Sequence, residues 1–152
     1  MIRNYKFAID IDKTLTNESI FMTETLNSNQ NILNNIIEKS TVKPGVDILK
    51  NKDLDIILVT GRQEKCREAT LKWLYKNNIP FNQLFMVPNG YYGKLFDQKL
   101  YEQFKLNICI ENKIHFVLED DLNVLKYLKR YGFSVQKVNH RFDTAFKKLI
   151  QC

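Results

Sequence analysis

Short apolar runs recur along this chain, and most are followed by a stretch of helix length. The runs are residues 5–11, 54–59, 84–87, 114–118 and 133–138. They are rich in Ile, Val, Leu and Phe and end in polar residues, Pro or Gly, which is the pattern of buried strands. Between them, apolar residues recur at helical spacing over residues 63–76, 97–107 and 122–131. Gly132 sits where a helix commonly ends in a left-handed residue. Pro44-Gly45 opens a short helix through Leu49, since proline suits a first helical turn. Residues 142–150 form a last amphipathic helix. Strands alternating with helices of about ten to fifteen residues imply crossovers between parallel strands, with helices on both faces of one sheet. The expected class is therefore α/β, a three-layer α/β/α sandwich on a parallel five-stranded sheet.

Residues 17–43 are the least legible part. Ile32, Leu33, Ile36 and Ile37 have helical spacing, and Asn or Ser before them can cap a helix. One helix of about 12–16 residues is expected there, either in a small flap or minimal cap over the sheet edge or as the first crossover. No internal repeat, linker or second domain is visible, so residues 1–152 read as one domain. No apolar run approaches the ~18 residues of a membrane span, and the N-terminus lacks a signal-peptide core. The expected location is cytoplasmic. Cys66, Cys109 and Cys152 are odd in number without metal-ligand spacing, and read as reduced thiols. The net charge of +6 suits phosphorylated or nucleic-acid partners. The lysines are spread along the chain, however, and are expected at solvated helix positions.

Chemistry gathers where strands end. The first run stops in Asp10 and Asp12, the second in Thr60-Gly61-Arg62, and the fourth in Glu119-Asp120-Asp121. In a parallel sheet these ends share one edge. Crowded carboxylates repel unless a cation neutralises them or they share a proton. Hard oxygen ligands from several loops suit Mg²⁺, which keeps water and phosphate oxygens in its shell.

With these motifs in place, the chain resembles the haloacid dehalogenase (HAD) superfamily of phosphotransferases, on a Rossmann-like sheet. Asp10-Ile11-Asp12-Lys13-Thr14 matches its first motif, DxDx[TV]. Thr60, ending IILV, matches the second. A lysine before the fourth strand would be the third, and VLEDD matches the acidic fourth. The resemblance covers about residues 5–140. TGRQEKCREATLKWLYKNNIP and HFVLEDDLNVLKYLKRYGFSVQKV are further similar to polynucleotide kinase 3′-phosphatase domains and cytosolic deoxynucleotidases.

The resemblance implies roles. Asp10 would be the nucleophile that forms an aspartyl-phosphate. Asp12 would act as general acid and then general base. Mg²⁺ would be bound by Asp10, Asp120 and the backbone carbonyl of Asp12. Thr60 would donate to a phosphoryl oxygen, with Gly61 and Arg62 beside the substrate. A lysine would neutralise the remaining charge: Lys99 is favoured over Lys94. Three functions stay open. One is an Mg²⁺-dependent phosphomonoesterase for a nucleotide or polynucleotide end. Another is a sugar-phosphate or other small-metabolite phosphatase closed by homo-oligomerisation, and the last is a non-catalytic binding module. Lys13, where the family usually has Gly, departs from the pattern. It is tolerable if the backbone does not need a positive φ. Glu119 also departs, standing in place of a commoner Asp or Gly.

Overall fold

A computed structural model describes residues 5–20, 29–50 and 52–151. The strands are β1 (Lys6–Ile9), β2 (Asp55–Gln63), β3 (Gln83–Val87), β4 (Phe116–Glu119) and β5 (Ser134–Lys137). The α-helices are α1 (Gln30–Glu38), α2 (Arg67–Lys76), α3 (Gln98–Glu111), α4 (Leu122–Arg130) and α5 (Phe142–Ile150). The sheet order is β3-β2-β1-β4-β5, and every pairing is parallel.

Alternation along the strands divides the interior into two cores. Phe7, Ile9, Ile56, Leu58 and Leu118 pack with Leu33 and Ile37 of α1, Trp73 of α2 and Phe146 of α5. Ala8, Ile57, Val59 and Val117 pack with Tyr101 and Cys109 of α3 and Leu128 of α4. Helices therefore cover both faces, α1, α2 and α5 on one and α3 and α4 on the other. Each fully buried Leu, Ile or Phe contributes about 1.5–3 kcal/mol of transfer free energy. That is why the central runs carry almost no polar residues.

The chain moves outward from β1 through β2 to β3, then returns to the far side of β1 with β4. The strand order thus reverses between β1 and β4. In open α/β sheets the ligand crevice lies beyond the carboxyl ends at such a point. Asp10 follows β1, and Glu119 ends β4.

Several boundaries differ from the sequence reading. β1 stops at Ile9, so Asp10 to Asp12 are loop. β2 does not stop at Thr60 but runs to Gln63, with a register shift against β3 between Thr60 and Gln63. A 3-10 turn over Glu64–Cys66 then precedes α2. The first helix has 9 residues, capped by Asn29; residues 21–28 of the expected flap lie outside the described residues. The stem of that excursion closes on itself. Thr16 bridges Val42, and the N–H of Lys43 donates to the Leu15 carbonyl at 2.8 Å. Gly45 (φ 89°) turns the chain against α5, where an added Cβ would stand 2.7 Å from the Asp143 nitrogen. No helix among the described residues is long and apolar enough to cross a membrane.

Candidate active site

Asp10 lies where the alternation of β1 points it, toward α3. The Lys105 ammonium stands 3.1 Å from its Oδ1, and the Tyr101 hydroxyl donates to the same oxygen at 3.2 Å. Tyr101 and Lys105 are four residues apart on α3, so both project from one face of that helix. Lys105 is also ion-paired with Glu119, whose Oε1 accepts the N–H groups of Asp120 and Asp121 at 3.1 and 3.2 Å. The Thr14 hydroxyl is 3.5 Å from Asp10 Oδ2 and 3.4 Å from Asp120 Oδ1. Oxygen atoms of Asp10, Glu119 and Asp120 lie within 4.8 Å of one another. They border a cleft of about 210 Å³ that also includes Asp12, Lys13, Ser19, Phe96 and Asp121. Asp121 itself caps α4, accepting from the N–H groups of Asn123 and Val124.

Asp12 turns the other way. The Arg62 guanidinium forks onto both of its oxygens, at 3.1 and 2.9 Å. Arg62 also donates to Thr70 of α2 at 3.0 Å. The Ile20 N–H reaches Asp12 at 3.2 Å, so the start of the 17–43 excursion folds over this acid. The extension of β2 past Thr60 carries Arg62 inward; its side chain is 1% exposed. Thr60 is fully buried, and its Oγ1 accepts the Arg62 N–H at 3.2 Å. It caps no helix, because α2 begins only at Arg67. The Gly61 carbonyl accepts the Tyr92 hydroxyl at 3.2 Å.

Lys13 adopts φ 59°, the left-handed region in which a side chain costs about 1–2 kcal/mol. The loop therefore does require the geometry that glycine takes freely. Its carbonyl accepts a hydrogen bond from the Lys43 ammonium, which also donates to the Asn139 carbonyl at 2.6 Å. Lys13→Gly is expected to raise stability by about 0.5–1 kcal/mol, the strain relieved being partly offset by a more flexible unfolded chain. Urea unfolding of the two proteins measures this.

Asp10 and Glu119 share the buried Lys105 ammonium, with Asp120 and the buried Lys43 nearby, and the electrostatics reflect it. Burial raises the Asp10 pKa; Lys105 opposes the shift and Asp120 adds to it. Glu119 is pushed well above its usual range, first by burial and then by Asp10. Burial works against the Lys105 charge, but Asp10 and Glu119 more than offset it and its pKa is raised. Burial likewise opposes Arg62, and Asp12 tips the balance upward. Burial lifts the Tyr101 phenol well above its ordinary value, followed by Asp10 and Glu119, so it stays a donor. The negative charge left on the open side is what a hard divalent cation neutralises.

This balance gives stability a defined pH dependence. Unfolded, Asp10 and Glu119 ionise near their ordinary values of about 4. Folded, they hold their protons to higher pH, so the folded state binds more protons above that point. Metal-free stability is then expected to fall as pH rises from about 4 toward the raised folded values. Glu119→Gln should flatten the fall. Denaturant melts in a chelator across this range measure both slopes.

Other expectations land differently. Lys94 and Lys99 are exposed; the lysine that meets Asp10 is Lys105. Six residues along an α-helix turn about 240° from Lys99, which carries Lys105 to the sheet face. Lysines are almost never fully buried unless paired, and the pairing acids come from distant strands. Lys43 gave no sequence signal either. Its pKa is lowered by burial, against the pull of Asp120. The Tyr91 and Tyr92 hydroxyls donate to the carbonyls of Leu100 and Gly61. Trp73 is core, with its indole N–H on the Ser40 carbonyl at 2.9 Å. His115 is exposed, and its Nδ1 accepts the Lys6 N–H. Cys66 and Cys109 are buried and in no disulfide, and burial pushes the Cys109 thiol up to about 12.

A family model of the polynucleotide kinase PNKP phosphatase domain, a HAD-type phosphatase domain, matches residues 6–142. The chain belongs to this family. Comparison with curated protein sequences gives no match. Among solved structures, the family's fold recurs in the Pnkp1/Rnl/Hen1 complex, with a TM-score of 0.59 and 20% identity over 90% of this chain. This PNKP-type domain spans 46% of that chain, so less than half of its length. The D,D-heptose 1.7-bisphosphate phosphatase from B. bronchiseptica, complexed with magnesium and phosphate, has a TM-score of 0.60 and 15% identity. There the match covers 97% of this chain and 87% of the other. A HAD family enzyme from Bacteroides thetaiotaomicron, in complex with magnesium and inorganic phosphate, has a TM-score of 0.51 and 12% identity, covering 90% and 94%. At these identities the likenesses speak for the shared fold.

Proposed function

We propose that this protein is an Mg²⁺-dependent phosphomonoesterase that works through an aspartyl-phosphate on Asp10, with a nucleotide or polynucleotide phosphate as substrate. The observation that carries the reading is the cluster of Asp10, Glu119 and Asp120 at the β1/β4 crevice. Its oxygen donors and its shortage of positive charge fit Mg²⁺. Asp10, Asp120 and the Asp12 carbonyl would hold the ion, with Glu119 behind them. Bound there, it supplies charge neutralisation for the phosphoryl group.

The chain's own groups divide the remaining work. An Asp10 oxygen attacks phosphorus as the bond to the leaving oxygen breaks. Asp12 gives that oxygen a proton, then takes one from the water that attacks the aspartyl-phosphate. Inorganic phosphate leaves and the Asp10 carboxylate is restored. Lys105 and the Tyr101 hydroxyl hold Asp10 in one orientation, which lowers the entropic part of the barrier. Arg62 positions Asp12; freeing one Asp12 oxygen from this fork accompanies proton transfer. Thr60 is proposed as a phosphoryl contact and Lys105, in place of Lys99 or Lys94, as the neutralising lysine. Residues 17–20 are proposed to border the site, because the Ile20 N–H donates to Asp12, whereas α1 packs on the sheet as part of the first crossover.

Hydrolysis of an aryl phosphate with and without Mg²⁺ tests the reading. Turnover should need the ion and stop in a chelator. A wild-type protein with no turnover in Mg²⁺ would remove the enzyme claim. A panel of mononucleotides, phosphorylated oligonucleotides and sugar phosphates separates the substrate classes.

A further inference from the structure

The 17–43 excursion ends on a buried cation. Lys43 is 7% exposed, and its ammonium donates to the backbone carbonyls of Lys13 and Asn139. Neither acceptor carries a charge. Taking an ammonium out of water is costly, and neutral carbonyls return only part of that cost. Asp120 and Asp10 attract its charge, though burial outweighs them. A side chain that merely filled this space would be apolar. The polar head is therefore there for what it holds.

The root of this side chain is fixed. The Lys43 N–H donates to the Leu15 carbonyl at 2.8 Å, and the neighbouring Val42 bridges Thr16. Pro44 restricts the residue before it to extended backbone, and its own carbonyl accepts the Phe142 N–H at 2.8 Å, where α5 begins. The arm crosses from this base to Lys13, on the wall of the cleft. Lys13 is held on both sides. Its N–H, part of the Asp12–Lys13 peptide, lies 3.2 Å from the Glu18 carbonyl and 3.1 Å from the Thr16 hydroxyl. Its carbonyl, part of the Lys13–Thr14 peptide, meets the Lys43 ammonium. With both flanking peptides fixed, Lys13 is kept at φ 59° and the backbone of Asp12 is kept from swinging.

We infer that Lys43 is a positioning residue for proton transfer, clamping the Lys13 backbone so that Asp12 stays aimed at the leaving oxygen; the inference rests on the phosphomonoesterase reading above. Asp12 is otherwise held through its carboxyl group, by the Arg62 fork and the Ile20 N–H. Those bonds loosen when the carboxyl group hands over its proton. A clamp on the backbone stays closed through that step. Misplacing a reacting group by about 1 Å can cost about 10²-fold in rate, so a bond one residue away from Asp12 is enough to matter.

The test uses Lys43→Met, which keeps most of the arm and removes its donors. At saturating Mg²⁺, kcat/KM is compared on an aryl phosphate, whose phenolate leaves with little help, and on an alkyl phosphate, whose alkoxide needs the proton of a general acid. Because kcat/KM ends with departure of the leaving group, the later hydrolysis of the aspartyl-phosphate does not enter. The variant should lose about threefold on the aryl ester and about thirtyfold on the alkyl ester, the excess being the mark of a misplaced acid. A purely structural defect lowers the folded fraction and cuts both alike. Trp73 is the only tryptophan, and its indole N–H bonds the Ser40 carbonyl, three residues before Lys43; its emission should not change. The N–H groups of Thr14, Leu15 and Thr16 all donate to the Ile11 carbonyl. Native-state hydrogen exchange should speed about tenfold at these three and stay unchanged at Ile57 and Leu58 in β2. Equal losses on the two esters, no loss on either, or unchanged exchange in the loop each overturns the inference. If Lys43→Met does not fold, Lys43→Gln carries the same comparison, with a polar arm one bond too short to bridge both carbonyls. The ratio between the esters should then still move by about threefold or more, and an unmoved ratio overturns the inference. Absence of aryl phosphate turnover in wild type would instead count against the phosphatase reading, and loop exchange would still decide whether Lys43 clamps Lys13.

Discussion

Asp10→Asn is expected to lower turnover of an aryl phosphate by about 10⁴-fold or more, because an amide cannot act as the attacking carboxylate. The fold should survive. The Asn carbonyl can still accept from Tyr101, which in the native protein donates to Asp10 Oδ1 at 3.2 Å. The change also removes one of three clustered negative charges. It thereby relieves a buried acid whose pKa is raised by desolvation, with Asp120 adding to the shift and Lys105 opposing it. Loss of turnover with an unaltered circular dichroism spectrum and a preserved unfolding midpoint is the expected pair of results. A variant that retained more than about a tenth of wild-type turnover would sink the nucleophile assignment. A variant that unfolded would show that Asp10 is chiefly a partner for Lys105.

Lys105→Met is expected to be the most destabilising single change near the site. It leaves Asp10 and Glu119 buried without their ammonium partner, and removing one member of a buried pair costs about 3–5 kcal/mol. The sign with pH follows from the raised carboxylate values. Toward acid the two groups can take up protons in the folded state, so the penalty shrinks; toward neutral pH it grows. Adding Glu119→Gln to Lys105→Met should restore part of the loss, because it removes one of the stranded charges. By contrast, Lys94→Ala and Lys99→Ala change exposed residues and should stay within about 0.5 kcal/mol of wild type. Urea midpoints of the four variants in metal-free buffer measure the series. If Lys105→Met and Lys99→Ala cost the same, the buried ion cluster is not the feature that the geometry makes it.

The architecture was legible because strand periodicity and crossover length are local properties of the chain. FAIDI, LDIILV and HFVLE each announce a buried strand by composition, and the polar residues that end them announce one functional edge. The caps were legible for the same reason. Asn29, an Asn before the first helix as expected, needs only the N–H groups of Asn31 and Ile32, which are within its reach once the helix forms. The family resemblance added an order to these local signals, and the pairing of Asp10 with Asp120 across the β1/β4 crevice follows that order.

Partners that come from far along the chain were not legible. Lys105 reads as one more helix lysine until α3 packs against β1 and β4 and presents that face to Asp10 and Glu119. The opposite directions of Asp10 and Asp12 depend on β1 ending at Ile9 and on β2 extending far enough to bring Arg62 inward. Lys13 shows where the two divide. That a lysine stands where glycine is usual is plain from the order of residues. That the backbone there takes φ 59° follows from the fold, because the loop must close over the strand end and meet the ammonium of Lys43. Local spacing sets which residues reach the sheet edge. Which of them meet is set by packing between segments up to about a hundred residues apart, and no local pattern encodes that distance.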